Sequence, residues 1–327
     1  MCELNSVSII VPAFNEEQHI KQCLDSLFAL NSNNLKIEVI VIDNGSTDNT
    51  AEIAQHCGAT VKIQPYVNVS ALRNLGASIS GGNLLAFVDA DCVVDHDWLS
   101  NAIKCIYRES ADAVGSFHDI PEESGWIGEI STLIQSRKVG ADINYIPSGN
   151  MIIRRAAFED IGGFDSSLET GEDVDICKRL KDKGYKIFSD PAIHSIHYGS
   201  PKNIKEMFRR EMWHGRTMWV IFLRDFPRNN KWLLFLYVNC NALLIMLMIV
   251  GLVRIAQGSI TLLLASCFLY LCLNLLVALQ DWLRVRKSFL GLYGYVLVYG
   301  AARAVGMFEQ ILSKMFFVQR SFIEKEK

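Results

Sequence analysis

The sequence contains no Cys-x-x-Cys pair among its nine cysteines, at 2, 23, 57, 92, 105, 177, 240, 267 and 272, and three of these fall in apolar C-terminal runs. A zinc site therefore has almost no support, and small apolar thiols in a reducing compartment are expected. There is no Gly-x-Gly-x-x-Gly and no Gly-Lys-Ser or Gly-Lys-Thr loop, so nicotinamide dinucleotide binding and P-loop hydrolysis lose their usual support. The segment from Met1 to Val11 has no basic stretch before its apolar run, which Pro12 and Asn15 end early, so no signal peptide is expected. Basic charge is scarce where a nucleic-acid binder would need it. Before residue 201, 15 Lys and Arg face 28 Asp and Glu; from there on, 17 face 7. Nucleic acid is thus not an expected partner, whereas a basic segment beside apolar runs suits an anionic membrane surface.

Charge of either sign is absent from Trp232 to Val253 and from Ser259 to Gln280, each 22 residues long. About 20 apolar residues suffice to cross a hydrocarbon core, so two transmembrane helices are expected at 232–253 and 259–280. Arg224, Arg228 and Lys231 precede the first, Arg284, Arg286 and Lys287 follow the second, and the loop between them offers Arg254 alone. By the positive-inside rule both ends of this hairpin are cytoplasmic, which places residues 1–200 in the cytosol beside the cell (inner) membrane. A third apolar stretch, 289–308, is interrupted by Arg303. It could span, lie at the interface, or enter and return; an arginine at that depth must be paired or snorkel, or meet a lipid phosphate. Over 201–231, Lys202, Lys205, Arg209, Arg210 and Arg216 interleave with Met207, Phe208, Met212, Trp213 and Trp219. One interfacial amphipathic helix is expected there, or two broken at Gly215, with Arg209, Arg210, Trp213 and Arg216 on the acceptor and membrane side.

Residues 1–200 read as alternating short apolar strands and helices. Val7 to Val11, Val39 to Ile42, Thr60 to Ile63 and Leu84 to Val88 are expected strands. Helices are expected from near Glu16, with Ile20, Leu24, Leu27 and Phe28 at helical spacing, and over Asp48 to Cys57 and Ser70 to Ser80. Trp98 to Glu109 and Asp173 to Lys183 read as further helices, and Ala113 to Gly115 and Tyr185 to Phe188 as short strands; 118–147 is expected to be a loop or partly mobile helix. The fold class is α/β, a mostly parallel sheet covered on both faces. Ligands of such sheets sit beyond the carboxyl ends of the strands, where Asn15, Asp43 and Asp89 fall.

The residues there have both structural and chemical readings. Asp89 and Asp91, two apart at the end of an apolar strand, would hold Mg²⁺ or Mn²⁺ carrying a diphosphate, or would merely open the next helix. Asp43 ends a strand where a carboxylate can accept a proton from a nucleobase imide or ribose hydroxyl. Arg73 would complement a diphosphate or form an ion pair. Glu172 and Asp173 start a helix, as caps or as a general base. His197 is a candidate contact for metal or diphosphate from the far side of the crevice, with weaker grounds for His194.

Together these segments resemble the family-2 glycosyltransferases, enzymes of the glycosyltransferase-A fold that use nucleotide sugars, over about residues 7 to 200. Val7 to Glu17, with Pro12, Phe14, Asn15 and Glu17, is similar to the opening strand and first nucleotide loop. Val41 to Asp48 is similar to the segment whose first aspartate, Asp43, contacts the base, and Ala71-Leu72-Arg73-Asn74-Leu75-Gly76 to a diphosphate-side segment. The resemblance implies that Asp91, with Asp89, binds the metal, and that Gly149 and Asn150 line the donor-sugar and acceptor site. It also implies that Asp173, paired with Glu172, is the catalytic base. The implied reaction is inverting transfer of one sugar from a nucleotide-diphosphate sugar to a membrane-associated, polyprenyl-linked glycan. Arg209-Arg210-Glu211-Met212-Trp213 stands where processive synthases of this broad family carry Gln-x-x-Arg-Trp, which disfavours the alternative of a polysaccharide synthase. A second alternative, a membrane scaffold that has lost catalysis, is disfavoured by Asp43, Asp89, Asp91 and Asp173 standing together.

Overall fold

The computed structural model describes the chain except residues 1–4, 32–34, 135–138, 142, 144, 219–221, 223–231, 258, 287, 326 and 327; at 285 and 312–325 it describes the backbone alone. Trp219, Arg224, Arg228, Lys231 and Lys287 lie outside the described residues. In chain order the elements begin β1 (Ser6–Ala13), α1 (Ile20–Phe28), β2 (Lys36–Asp43), α2 (Thr50–His56), β3 (Thr60–Ile63), α3 (Val69–Ile79) and β4 (Leu84–Val88). There follow β5 (Cys92–Val94), α4 (Trp98–Glu109), β6 (Ala113–Gly115), α5 (Trp126–Ile134), β7 (Asn150–Arg154), α6 (Arg155–Asp160), α7 (Glu172–Asp182), β8 (Ile187–Ser189) and β9 (Ser195–His197). The last four are α8 (Ile204–Gly215), α9 (Trp232–Ile255), α10 (Thr261–Val285) and α11 (Phe289–Lys325). The chain divides into two compact units, Met1–Glu123 with Ser136–Ser200, and Ser124–Gln135 with Pro201–Lys327.

The first unit is built on a seven-stranded sheet of order β3-β2-β1-β4-β7-β6-β8. All its strands run one way except β7, which is antiparallel to both β4 and β6. The central strands β1, β4 and β7 and the latter half of β2 are mostly apolar because each face is covered, whereas the edge strand β3 is largely exposed. Val7, Ile9 and Val11 of β1 pack with Leu24, Trp98 and Ile106 on one side, while Ile10 packs with Ile42, Leu72, Phe87 and Leu180 on the other. Ser8 is the polar exception in β1, and its buried hydroxyl donates to Glu38 at 2.6 Å and accepts the Gly82 N–H at 2.8 Å. The helix expected from near Glu16 begins four residues later, at Ile20, because Asn15 adopts φ +56°. Phe28, expected on its apolar face, is 49% exposed. Parallel register sets Ala13 beside Asp43 and Asp43 beside Ile63, so three strand ends and their loops open on one edge. A second sheet, the antiparallel pair β5–β9, matches Cys92 with His197.

In the second unit α5 packs Ile127 and Ile130 against Met207 of α8 and Leu292 and Tyr295 of α11. That apolar face explains why Ser124–Gln135, expected within a domain spanning 1–200, groups with the C-terminal helices instead. Three helical stretches are long and apolar enough to cross a membrane: Trp232–Ile255, Thr261–Arg284 and Phe289–Ile311. The last belongs to one continuous helix, so among the described residues it has no turn at which the chain could enter and return. Polar groups inside the bundle are paired, as apolar surroundings require. The Tyr237 hydroxyl donates to Asn274 at 2.6 Å, and the Asn274 amide donates to Asn241 at 2.9 Å. Arg303, the charge that interrupts the third stretch, donates to Glu211 of α8 at 2.9 Å and lies over the Tyr299 ring, 4.9 Å from its centroid. It is thus paired within the unit rather than left to meet a lipid phosphate.

Candidate active site

Two loops at the carboxyl edge of the first unit's sheet are stitched together by side chains reaching across to backbone. Asn15 Oδ1 accepts the Thr47 N–H at 2.9 Å, and the Asn15 N–H donates to Ser46 at 2.9 Å. Glu17 Oε2 accepts the Asn49 N–H at 3.2 Å, and the Glu16 N–H donates to Thr50 at 2.7 Å. Asp43 is 1% exposed; its Oδ2 accepts the N–H groups of Gly45 and Ser46, and its Oδ1 accepts the Ser46 hydroxyl at 2.5 Å. Its carboxylate organises its own loop at the strand end where the nucleobase contact is expected. Pro12 is buried at the end of β1, and Phe14 just beyond it is 53% exposed.

Arg73 forms ion pairs, one of its two expected roles. On the inward face of α3 it is 2% exposed, with Nη2 donating to Asp89 at 2.6 Å and Nη1 to Glu172 at 2.9 Å. Its two charged ends thus position two protein carboxylates relative to each other. Burial alone would lower its pKa, yet Asp89 and Glu172 together raise it. Burial likewise pushes Asp89 up, but Arg73, then His118 and His197, hold it below the usual carboxylate range. Glu172 accepts a further bond from the Ser148 hydroxyl at 3.0 Å. Asn150 is fully buried, its oxygen accepting Trp98 Nε1–H at 2.7 Å and its amide donating to the carbonyls of Ser116 and Ile193. Its side chain acts as a core strut in this arrangement. Gly149 is a different matter: a Cβ there would overlap the Asp89 carboxylate, so only glycine lets the chain pass.

Asp91 lies within the tight turn closed by Cys92 N–H to Asp89 O at 2.9 Å. The β5–β9 pairing brings His197 to it, with Nε2 3.3 Å from Asp91 Oδ2. A Cβ at Gly199 would collide with the same carboxylate oxygen. Asp91, Cys92 and His197 could together hold a metal ion, but their chemistry differs. Cys92 is fully buried, and burial with Asp91 and Asp89 raises its thiol well above the usual range, so it stays protonated. Asp91 and His197 keep 15% and 24% of their side chains exposed. An oxygen and an imidazole with room for further oxygens fit Mn²⁺ or Mg²⁺. Asp89, expected as a second ligand, has Oδ1 tied to Arg73. Glu16, which sequence reasoning passed over for Glu17, has its pKa raised by burial and then by Asp91. His118 was also missed; burial, then His197, depresses its pKa to about 3, and it bonds Ser195 Oγ at 2.9 Å. Glu16 sits within the first nucleotide-loop segment and His118 in no motif, and only the folded chain brings both toward Asp91 and His197.

Asp173 occupies the first turn of α7 beside Glu172 and Asp175. Asp175 is 3% exposed and pairs with Arg179 at 2.6 Å. Asp173, half-buried, accepts the Val174 N–H at 2.7 Å and is more exposed than Glu172. In the second unit Arg209 and Trp213 are exposed, Arg210 is half-buried near Glu211, and Arg216 forms an ion pair with Glu309 at 3.0 Å.

Residues 8–162 match the family described as glycosyl transferase family 2. The glycosyltransferase AglE of Haloferax volcanii is 31% identical over 215 residues, covering 62% of this chain and 71% of that protein. A dolichyl N-acetyl-alpha-D-glucosaminyl phosphate 3-beta-D-2,3-diacetamido-2,3-dideoxy-beta-D-glucuronosyltransferase of Methanococcus voltae is 25% identical, over 70% of this chain and 78% of its own length. Among solved structures, the mannosyltransferase PcManGT of Pyrobaculum calidifontis, in complex with GDP-Man and Mn²⁺, is similar with a TM-score of 0.60 at 17% identity. That likeness covers 92% of this chain and 86% of that one, and establishes the glycosyltransferase-A fold.

Proposed function

The chain belongs to glycosyl transferase family 2, and from that premise we propose that it moves one sugar from a nucleotide-diphosphate sugar to a hydroxyl of a polyprenyl-linked glycan, inverting the anomeric carbon. The observation that carries this reading is the convergence at one sheet edge of Asp91 with His197, and of Asp89 with Glu172 through Arg73. The loops of Phe14, Asn15, Glu17 and Asp43 receive the nucleoside at the same edge. Asp173 takes the acceptor hydroxyl's proton as that oxygen attacks the anomeric carbon and the bond to the diphosphate breaks. Glu172, held by Arg73 and Ser148, fixes the turn from which Asp173 projects. Asp91 and His197 would hold Mg²⁺ or Mn²⁺, which when bound supplies charge neutralisation to the departing nucleoside diphosphate. Gly149 keeps backbone, rather than a side chain, against Asp89.

A lipid-borne acceptor is favoured by the three apolar helices and by the acceptor named for the Methanococcus protein. The chain crosses the cell membrane more than once, with its catalytic unit on the cytoplasmic side, where Arg209 and Trp213 meet the membrane surface. The decisive experiment incubates the purified full chain with a panel of nucleotide sugars, Mn²⁺ and extracted lipid-linked glycans. One added sugar of inverted configuration is expected by mass spectrometry and NMR. A ladder of many sugars would overturn single addition, and a retained configuration would overturn inversion. Cysteine labelling of engineered sites in the 254–258 loop tests orientation, since a cytoplasmic loop contradicts it.

A further inference from the structure

Among the described residues, four other than glycine adopt a positive φ: Asn15, Tyr66, Ser110 and Arg286. Three have a local reason. Ser110 and Arg286 are left-handed C-caps closing α4 and α10. Asn15 has the short polar side chain that tolerates this region, and its oxygen binds Thr47. Tyr66, at φ +62°, ends no helix, and its bulky side chain makes the conformation costly. Nor does the ring recover that cost by packing, since Tyr66 is 99% exposed.

The strained loop is held in place from the neighbouring strand end. The Gln64 N–H donates to the Asp43 carbonyl at 2.7 Å. The Asn44 side chain brackets the residue after Tyr66, donating to the Val67 carbonyl at 2.9 Å and accepting the Val67 N–H at 3.2 Å. Because β3, β2 and β1 are neighbours in register, with Ile63 beside Asp43 and Asp43 beside Ala13, Phe14 and Tyr66 emerge on either side of the Asp43 loop. Phe14 is itself 53% exposed. Two aromatic rings, each lacking a core to pack in, thus flank the loop assigned above to the nucleoside.

We infer that Tyr66 is a nucleobase-binding residue, stacking its ring on the base of the donor from the β3 side while Phe14 serves the β1 side. The inference rests on the nucleotide-sugar reading above and deepens it. Stacking suits a planar base because every base presents a π face and the contact needs no matched hydrogen bond. The ordered backbone around an exposed ring presents the aromatic surface before the ligand arrives, which reduces what binding must spend on ordering.

The test measures, by calorimetry with Mn²⁺, binding of UDP, GDP, ADP, CDP and dTDP to the full chain and to Tyr66→Asn and Tyr66→Phe. Asparagine tolerates the left-handed backbone, so it removes the ring and spares the loop. Wild type is expected to bind at least one of the five, with Tyr66→Asn weaker by about tenfold and Tyr66→Phe close to wild type. KM for the matching sugar donor should rise with kcat nearly unchanged, and pyrophosphate with Mn²⁺ should bind wild type and Tyr66→Asn alike. The thermal midpoint of Tyr66→Asn should not fall. Equal nucleotide affinity in wild type and Tyr66→Asn overturns the stacking role and leaves the transferase reading standing. A lower midpoint with parallel loss of pyrophosphate binding marks a structural role and also overturns it. Failure of wild type to bind any of the five overturns both.

Discussion

Among the described residues, Arg73 in the first unit and Arg303 in the second are both paired with acidic groups, and the two are satisfied differently. Arg73 is 3% exposed at its side chain and lies between two carboxylates, whereas Arg303 is 18% exposed and meets one, Glu211, with a carbonyl and a ring for company. The first arrangement leaves a net negative charge next to Asp91; in the second, Arg303 and Arg210, its Nε 3.7 Å away, share Glu211, so no negative charge is left over. A joint between helices needs its carboxylate fully paired, since an unpaired charge there would have to be solvated. Residual negative charge at a partly open edge instead attracts a cation and the phosphates it carries. Burial of an arginine therefore does not distinguish a site from a joint, but the count of its acidic partners does.

The comparison is sharpened most by changes that strike one side of it alone. Asp91→Ala should reduce Mn²⁺-dependent transfer by about 10³-fold or more while the circular dichroism spectrum and thermal midpoint stay in place. Activity within threefold of wild type would contradict the assignment. Asp173→Asn should cost roughly 10²- to 10⁴-fold in kcat with nucleotide binding preserved, and a parallel loss of binding would make it a structural residue. Arg73→Met should lower both functions of that edge, destabilising the protein by about 3–5 kcal/mol because two carboxylates lose their counter-charge, and abolishing transfer. Arg303→Met should cost less, about 1–3 kcal/mol in denaturation of the full chain in detergent, because Arg210 Nε stands 3.7 Å from Glu211 and can take up part of the pairing. Equal costs for the two arginine variants would erase the distinction.

The smallest expected effect is in the pH dependence. Burial keeps His118 neutral in the fold, with its pKa depressed to about 3, whereas the unfolded chain takes a proton near 6.5. Stability from this group is therefore complete above about pH 6.5 and falls as pH drops toward 3, by at most ~1.4 kcal/mol per pH unit. His118→Gln should flatten that part of the acid denaturation profile, and an unchanged slope would show that other groups set it.

Much of the first unit can be read from the chain because its strands are short, mostly apolar and separated by helices of clear period. Leu84–Val88 and Trp98–Glu109 occur with the expected limits. The strands β5 and β9 escape notice because three residues carry no period, and their pairing joins positions 92–94 to 195–197. The same long-range contact gives His197 its place beside Asp91, a pairing that motif spacing cannot express. Sequence identifies Asp43, Arg73 and Asn150 as polar residues near the right edge, but not the hydrogen bonds each makes to the fold. A motif gives residue type and approximate position, while the direction of a side chain depends on which face of its helix or strand is covered. Tyr66 gave no signal of its own, since an aromatic residue in a loop acquires meaning only from its exposure and backbone angle.

The membership of α5 in the second unit bears on how the chain is made. Its apolar face, with Ile127 and Ile130, leaves the ribosome well before Leu292 and Tyr295, the residues that cover it. At ordinary rates of synthesis the interval is on the order of ten seconds, during which the nascent helix lacks its partners while the strands before it can already pair. The first unit is likewise interrupted in the chain, so its closing strands β8 and β9 are made only after this waiting segment. The apolar face of α5 thus emerges well before Leu292 and Tyr295 of α11, which complete the cluster it shares with Met207.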